Sequence, residues 1–536
     1  MNIAISLIGG LGLFLYGMNL MGEGLQKSAG DKLKKIIELL TSNVLMGVLV
    51  GVVVTGIIQS SSATTVMVVG FVNAGIMSLP QAIGVIMGAN IGTTVTAQLV
   101  SFNLEGLAPV ALGVGIIIFL FSSKEKNKHL AEILIGFGIL FTGMEFMKDA
   151  VKPLADLPQF RDALLYFGAH PILGILAGFL ITGIVQSSSA SMGMLIALAS
   201  EGLLPLTSAL PILYGDNIGT CVTSLLSSIG ASRNAKRAAI MHLTFNVIGT
   251  IIFMLILNIP IQAIVTKIDP NDAARQIANA HTLFNLINVI ILLPFSKFIV
   301  KIAMLLVPEK STEKESTSNT KFLDERMLET PSIALGNTVK EVLRMGNKAA
   351  TALDYSLKGL INKDAQLVKN TFETENIVNK LQKDLLNYLL KLSKSPLNDD
   401  ERVKTDLLFH TVNDIERVSD HAENIAEIAQ NLIDGNLKFS KNAVDEITDI
   451  YEKALANFKN SLIALDKGDL DLARKVLDSE KEVNYLEKLF RKSHMDRLSE
   501  NSCSLDSGVL YLDLLSNLER VSDHASNIAK QVLKIK

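Results

Sequence analysis

Two separate segments of this 536-residue chain occur twice at a single spacing. TGIIQSSSATT (55–65) returns as TGIVQSSSASM (182–192), and GANIGTTVT (88–96) returns as GDNIGTCVT (215–223). Gln59 to Gln186 and Asn90 to Asn217 are both 127 positions apart. The same step carries Gly47 and Gly51 onto Gly174 and Gly178. Upstream, GLGLFLYGM (10–18) matches GFGILFTGM (136–144) at a step of 126. Apolar segments that resemble each other by chance do not hold one register over two motifs, so about 1–122 and 128–257 read as one unit used twice.

Charge separates these units from the C-terminal part of the chain. Residues 1–310 hold 18 Lys+Arg and 15 Asp+Glu, and residues 311–536 hold 32 and 38, so about 11% of the first part and 31% of the second is charged. A single globular core is excluded, because the first part is too apolar for a soluble domain and the second too polar for a membrane one. Two cysteines, Cys221 and Cys503, exclude a disulfide framework. Neither part is basic enough for a nucleic-acid partner. No Walker loop, dinucleotide fingerprint, HExxH or nucleophile–base constellation is present, so an enzyme is not expected. The fold class expected is all-α: a polytopic membrane domain (1–310), a linker (311–331) and a soluble helical domain (332–536).

The apolar spans fall at about 3–26, 44–76, 80–101 and 107–122, then 129–148, 170–202, 205–228 and 238–257, with a last span at 277–306. The element around QSSS is the unusual one. Its arms, 44–58 and 63–76, are too short to cross, since a helical span needs about 20 residues. Four polar residues separate them, and irregular backbone at membrane depth is tolerated only inside protein or beside a cavity. A re-entrant hairpin with its tip at mid-membrane is the simplest reading. With hairpins counted as no crossing, each unit crosses three times, and an odd number inverts the second unit relative to the first. Lys/Arg placement tests the orientation. With the N-terminus outside, the inside loops hold Lys27, Lys32, Lys34, Lys35, Lys124, Lys126, Lys128, Arg233, Lys236 and Arg237, and the outside loops hold Lys148, Lys152, Arg161, Lys267 and Arg275. This bias puts the polar part in the cytoplasm, below a cytoplasmic membrane whose lipid surrounds the apolar part.

Inverted repeats with broken helices are the mark of a secondary transporter. A half-helix starting at mid-membrane turns unpaired N–H groups and its positive dipole end toward the cavity, and Ser hydroxyls add donors. Two such tips make an anion site without Lys or Arg. Freed carbonyls with Gln, Ser, Thr and Asn side chains suit Na⁺. The candidate substrate and ion residues are Gln59, Ser60, Ser61, Ser62 and Thr64 in the first unit with Gln186, Ser187, Ser188 and Ser189 in the second. Asn90, Thr93, Asn217 and Thr220 mark a second break. Against them stands the plainer reading that Ser and Thr bond back to their own helix. Repetition of the whole motif at matched depth favours the site. The glycine pairs read as close helix packing. Symmetry fails at Ala89, which becomes Asp216, and a carboxylate at that depth is a functional candidate by default. A further echo, H-x-x-F-N, places His242/Asn246 and His281/Asn285 each on one helix face, where interhelical bonding is the favoured reading.

The duplicated QSSS hairpin and the GANIGT-type segment resemble the type II sodium-dependent phosphate cotransporters in their bacterial form, over about residues 1–306. The resemblance implies inorganic phosphate as substrate and Na⁺ as coupling ion, with the two QSSS segments in the substrate and ion region.

The polar part repeats as well. NDIERVSDHAENIAE (413–427) returns as SNLERVSDHASNIAK (516–530), and 362–381 pairs with 467–486. Each copy reads as three long helices, giving a bundle of two three-helix repeats. Glu416/Asp420 and Glu519/Asp523 are i,i+4 carboxylate pairs, which repel by about 0.2–0.5 kcal/mol unless a cation sits on that face. A solvated face matched by Lys and Arg is the alternative. This part resembles PhoU-like domains, which implies a role in phosphate homeostasis and a metal ion at those four carboxylates. The expectation is thus Na⁺-coupled phosphate transport with a cytoplasmic regulatory module. A phosphate sensor without turnover and a net phosphate exporter are the alternatives, and a homo-oligomer or a cytoplasmic regulatory partner is left open.

Overall fold

The computed structural model describes residues 3–38, 43–102, 104–157, 159, 166, 170–308, 320–500 and 504–534. Residues 311–319 of the expected linker, and Arg161 and Cys503, lie outside these, as do the side chains of Lys32, Lys34 and Lys35. Among the described residues the chain is helical, with no strand. It forms two compact units, Met1–Ser316 and Thr317–Lys536.

In the first unit, α1 (Ile3–Glu38) is followed by α2 (Val44–Ile58), α3 (Ser61–Asn73), α4 (Leu79–Gly92), α5 (Thr94–Ser101) and α6 (Ala108–Phe121). Then come α7 (Glu125–Val151), α8 (Pro171–Val185), α9 (Ser188–Ser200), α10 (Leu206–Gly219) and α11 (Cys221–Ser227). The unit ends with α12 (Arg233–Ile252), α13 (Asn258–Ile268), α14 (Ala273–Leu292) and α15 (Ser296–Leu306). Among the described residues, five stretches are long and apolar enough to cross a membrane: Ile3–Ala29, Leu79–Ser101, Glu125–Leu154, Arg233–Ile268 and Ala273–Leu306. The expected spans 107–122 and 205–228 are not among them. Helix α6 has 14 residues, about 21 Å at 1.5 Å per residue, and α10 carries Asp216.

Glycines set the closest approaches. A Cβ at Gly51 or Gly88 would strike the backbone of the partner helix, and α2 lies directly on α4. Gly178 and Gly215 do the same for α8 on α10. Gly17 meets Gly136 where α1 crosses α7, so the first helices of the two repeats pack on each other.

Helix packing is reciprocal. Helix α3 packs on α11 and α12, and α9 packs on α5 and α14. Helix α12 also touches α4 and α10, and α14 touches α10 and α4. Helix α15 lies on α12, and α13 lies on α14. So α12 and α14 occupy matching places, whereas the expected repeat boundaries put 238–257 inside the second unit and left 277–306 alone. Apolar length cannot distinguish these groupings, but the H-x-x-F-N echo already joined α12 to α14. Helix α6 packs along α7.

The second unit is a chain of six long helices. These are α16 (Pro331–Asn362), α17 (Ala365–Leu392), α18 (Asp399–Asp434), α19 (Lys441–Lys467), α20 (Leu470–Ser499) and α21 (Leu505–Lys534). Each set of three packs together, and α18 joins α21 between the sets. The turns match too. Left-handed Lys363 (φ 53°) and Gly468 (φ 63°) end α16 and α19, and Asp364 and Asp469 cap the next helices. Buried Leu353, Val378, Leu385, Val412 and Ile415 fill the first set, and Ile447, Phe458, Val483, Leu514 and Leu518 fill the second.

Candidate functional site

Both hairpin tips adopt one backbone. Gln59 ends α2 at φ 58°, ψ 22°, and Gln186 ends α8 at φ 56°, ψ 26°. The left-handed region is uncommon for a residue with a Cβ. Each Gln N–H donates 2.7 Å to the carbonyl four residues back, Thr55 or Thr182. Ser60 and Ser187 then cap the opposite arms. The Ala63 N–H donates to Ser60 Oγ at 3.1 Å, and the Ala190 N–H donates to Ser187 Oγ at 3.2 Å. Helices α3 and α9 therefore begin at the tip, with buried Ser61, Ser188 and Ser189 and half-buried Ser62 in their first turns. These first turns carry the unpaired amides and the positive dipole end that an anion needs. Residues 43–102 and 171–228 contain no Lys or Arg, and their only charged residues are Glu201 and Asp216.

The second break is present as well. Helices α4 and α5 meet at Thr93, and α10 and α11 meet at Thr220. Thr93 Oγ1 lies 3.4 Å from Ser188 Oγ, so the break of the first repeat reaches the tip of the second. Thr220 Oγ1 donates to its own Asn217 carbonyl at 2.7 Å. Asn90 Nδ2 donates to Asn246 Oδ1 at 2.8 Å, and Asn90 Oδ1 lies 3.4 Å from His242 Nε2. Asn90 thus ties α4 to α12, whereas Asn217 Nδ2 bonds within α10, to the Leu213 carbonyl at 2.9 Å.

The two tips differ in closure. Gln59 is buried, and Thr96 Oγ1 donates to its Oε1 at 2.9 Å. Gln186 is exposed, and the hydroxyl of Thr223, the counterpart of Thr96, is buried without a partner among the described residues. Thr64 accepts from Thr55 Oγ1 at 3.0 Å and donates to the Ser60 carbonyl at 3.1 Å. In the second repeat, Thr182 Oγ1 instead donates to Asp216 Oδ1.

Sequence reasoning named His281 and Asn285 on α14 but not Asn288, and the interhelical bonds it favoured for that pair are not found among the described residues. Both nitrogens of His281, Asn285 Oδ1 and both side-chain polar atoms of Asn288 are buried without partners among the described residues. On α12 the matching His242 and Asn246 are satisfied, the first also by Ser224 at 3.1 Å and the second by Cys221 Sγ at 3.3 Å. Ser224 maps by the 127-residue step to Ala97, which signals the loss on α14.

In the second unit Arg417 lies 3.3 Å from Asp420, and Arg520 lies 3.7 Å from Asp523. Burial, then the neighbouring Asp420, raises the pKa of Glu416, and burial and Asp523 raise that of Glu519. Glu375 on α17 rises to about 7 through burial and then Glu423, Asp420 and Glu416. Asn379 and Asn484 donate to Glu375 and Glu480, and the buried side-chain oxygen of each has no partner among the described residues. Yet no three His, Cys, Asp or Glu side chains among the described residues are placed to hold a metal ion together. The geometry does not assemble the expected metal centre at Glu416, Asp420, Glu519 and Asp523. His421 and His524 sit on the α18–α21 seam with ring centres 5.6 Å apart, bonded to Asn517 at 2.8 Å and Asp414 at 2.9 Å.

Comparison with known proteins gives the same division. Residues 13–149 and 143–289 match the Na+/Pi-cotransporter family, and residues 342–429 and 447–532 match the PhoU domain. An Escherichia coli K12 protein provisionally named as the inorganic phosphate export protein YjbB is 25% identical over 535 residues, covering 99% of this chain and 97% of that protein. The uncharacterized YqeW of Bacillus subtilis is 33% identical over 310 residues, 58% of this chain and all of that protein. The rat sodium-dependent phosphate transport protein 2A is 36% identical over 134 residues, 23% of this chain and 20% of that protein. With two cotransporter segments over more than half its length and two PhoU domains behind them, the chain belongs to the Na+/Pi-cotransporter family.

Proposed function

We propose that the membrane unit carries inorganic phosphate across the cytoplasmic membrane, coupled to Na⁺, and that the PhoU unit regulates it from the cytoplasm. One observation carries the reading: two helices, α3 and α9, start at matched polar tips lined by Ser hydroxyls, and residues 43–102 and 171–228 hold no Lys or Arg. Dipoles and hydroxyls then hold the anion. Gln59, Ser60, Ser61, Ser62, Thr64, Gln186, Ser187, Ser188 and Ser189 form the tips. Asn90, Thr93, Asn217 and Thr220 frame them from the breaks in α4–α5 and α10–α11. Na⁺ supplies the positive charge that the protein lacks here.

With α6 and α10–α11 counted as crossings, two units of opposite orientation, N-terminus outside, agree with the Lys/Arg bias and give alternating access a symmetric basis. The full-length similarity to a protein named for phosphate export favours net efflux as a second reading of direction, since a coupled carrier is reversible. Purified protein in liposomes loaded with labelled phosphate tests both. A Na⁺ gradient that drives phosphate in either direction supports the coupled carrier, and phosphate binding without flux supports a sensor instead.

A further inference from the structure

We propose that Asp216, Thr182 and Ser191 form a seat for one monovalent cation, Na⁺, that exists only in the second repeat. This deepens the coupled-carrier reading and rests on it for the link to transport, though not for binding. The 127-residue step maps Thr55 to Thr182, Thr64 to Ser191 and Ala89 to Asp216. In the first repeat, Thr55 and Thr64 close on each other through a 3.0 Å hydrogen bond. In the second, the carboxylate stands where that bond would run. Thr182 donates to its Oδ1, and the Ser191 hydroxyl lies beside it. Asp216 is fully buried, and its Oδ2 has no hydrogen-bond partner among the described residues.

A buried carboxylate needs a counter-charge, because one left alone costs several kcal/mol. Among the described residues no cation pairs with Asp216. Helices α8 to α11 contain no Lys or Arg. On the elements that pack against α10, Arg233 bonds the Pro308 carbonyl, Arg237 bonds the Val307 carbonyl and Asn234, Arg275 bonds Gln98 and Ser101, and Lys236 and Lys267 are exposed. Hard oxygen donors with one negative charge suit a monovalent cation. Mg²⁺ would require rigid octahedral geometry and more charge, so it is the poorer fit. The seat is one residue from Asn217 and in contact with α9, whose first turn begins at the phosphate tip. A cation there would neutralise the carboxylate beside an incoming anion, which ties the two bindings together.

The test uses full-length protein in detergent and in liposomes, comparing wild type with Asp216→Asn, which keeps the shape and removes the charge, and with a Thr182→Val/Ser191→Ala double variant, which keeps the charge and removes the hydroxyls. Equilibrium binding of labelled Na⁺ and the Na⁺ dependence of phosphate flux are both measured. The expected result is an Asp216→Asn variant whose Na⁺ binding weakens about tenfold or more, with a smaller loss in the double variant. Ala89, the natural residue at the matching place, makes Asp216→Ala a further variant should the amide misfold. Unchanged Na⁺ binding in these variants overturns the seat. A wild type that binds Na⁺ through Asp216 while its phosphate flux ignores Na⁺ upholds the seat and overturns the coupling. Flux that responds to a pH step, with no Na⁺ bound by wild type, overturns both.

Discussion

Single residues carry the site through backbone as much as through side chains. Gln59 and Gln186 hold nearly identical left-handed dihedrals, and the Ser after each caps the next helix. Ser61 and Ser188 then lie in the first turn, where an anion would rest, and both are buried. Replacing either with Trp should abolish phosphate flux, because the ring fills the space at the helix start. Protein yield and a monodisperse elution profile should stay near wild type. A Trp variant that still transports would remove the tips from the site. In the PhoU unit, Glu375 gives a pH prediction. Its pKa is raised from 4.5 to about 7, so between those values the folded state holds a proton that the unfolded state has released. Its contribution to stability therefore falls as pH rises through that window. Hydrogen exchange along α17, measured at pH 5 and pH 8, should show less protection at the higher pH. Glu375→Gln should flatten the difference. The QSSS residues were legible in the sequence because they were polar, repeated and placed between arms too short to cross. His281 and Asn285 were legible as a pair, but Asn288 and the lack of partners along this stripe were not. Its meaning depends on Ala97 standing where Ser224 stands opposite, and only packing brings those positions to matching helices.

At the scale of elements, the two halves are alike in outline and unequal in their fastenings. Asn90 ties α4 to α12 by bonding Asn246 and facing His242, whereas Asn217 Nδ2 bonds along its own helix, to the Leu213 carbonyl. Asn90→Ala strands two buried polar groups, each costing about 1–3 kcal/mol. It should lower the thermal midpoint in detergent clearly more than Asn217→Ala, and equal losses would deny the tie its role. The tips show the same inequality. Thr96 holds Gln59, while Gln186 is exposed and the Thr223 hydroxyl has no partner among the described residues. If the halves exchange conformations during transport, the second fastening forms as the first opens. A Gln186→Cys/Thr223→Cys pair should then crosslink more readily under conditions that turn the carrier over than at rest, with the reverse for Gln59→Cys/Thr96→Cys. Most helices were legible from apolar length and from the repeats, including the breaks at Thr93 and Thr220. The equivalence of α12 and α14 was hidden. A run of apolar residues shows that a span exists but not which helix it matches, and the short H-x-x-F-N echo was the only trace.

At the scale of the molecule, the charge contrast between residues 1–310 and 311–536 marks the division between two compact units, with the cotransporter segments in one and the PhoU domains in the other. Deleting residues 321–536 should change the rate or regulation of phosphate flux without changing which ion drives it. Loss of phosphate binding in that truncation would place the binding site elsewhere. The metal expectation for the PhoU carboxylates came from their i,i+4 pairing and from the resemblance, and the alternative of a face matched by Arg is represented by Arg417 at 3.3 Å from Asp420 and Arg520 at 3.7 Å from Asp523. The central claim is that an anion held by helix dipoles and hydroxyls moves with Na⁺ as its counter-charge. Phosphate flux in liposomes under an imposed Na⁺ gradient, with pH equal on both sides, tests it most directly. Flux that rises with the gradient and stops when K⁺ replaces Na⁺ is the predicted result. Flux indifferent to Na⁺ and driven by a pH step would contradict it.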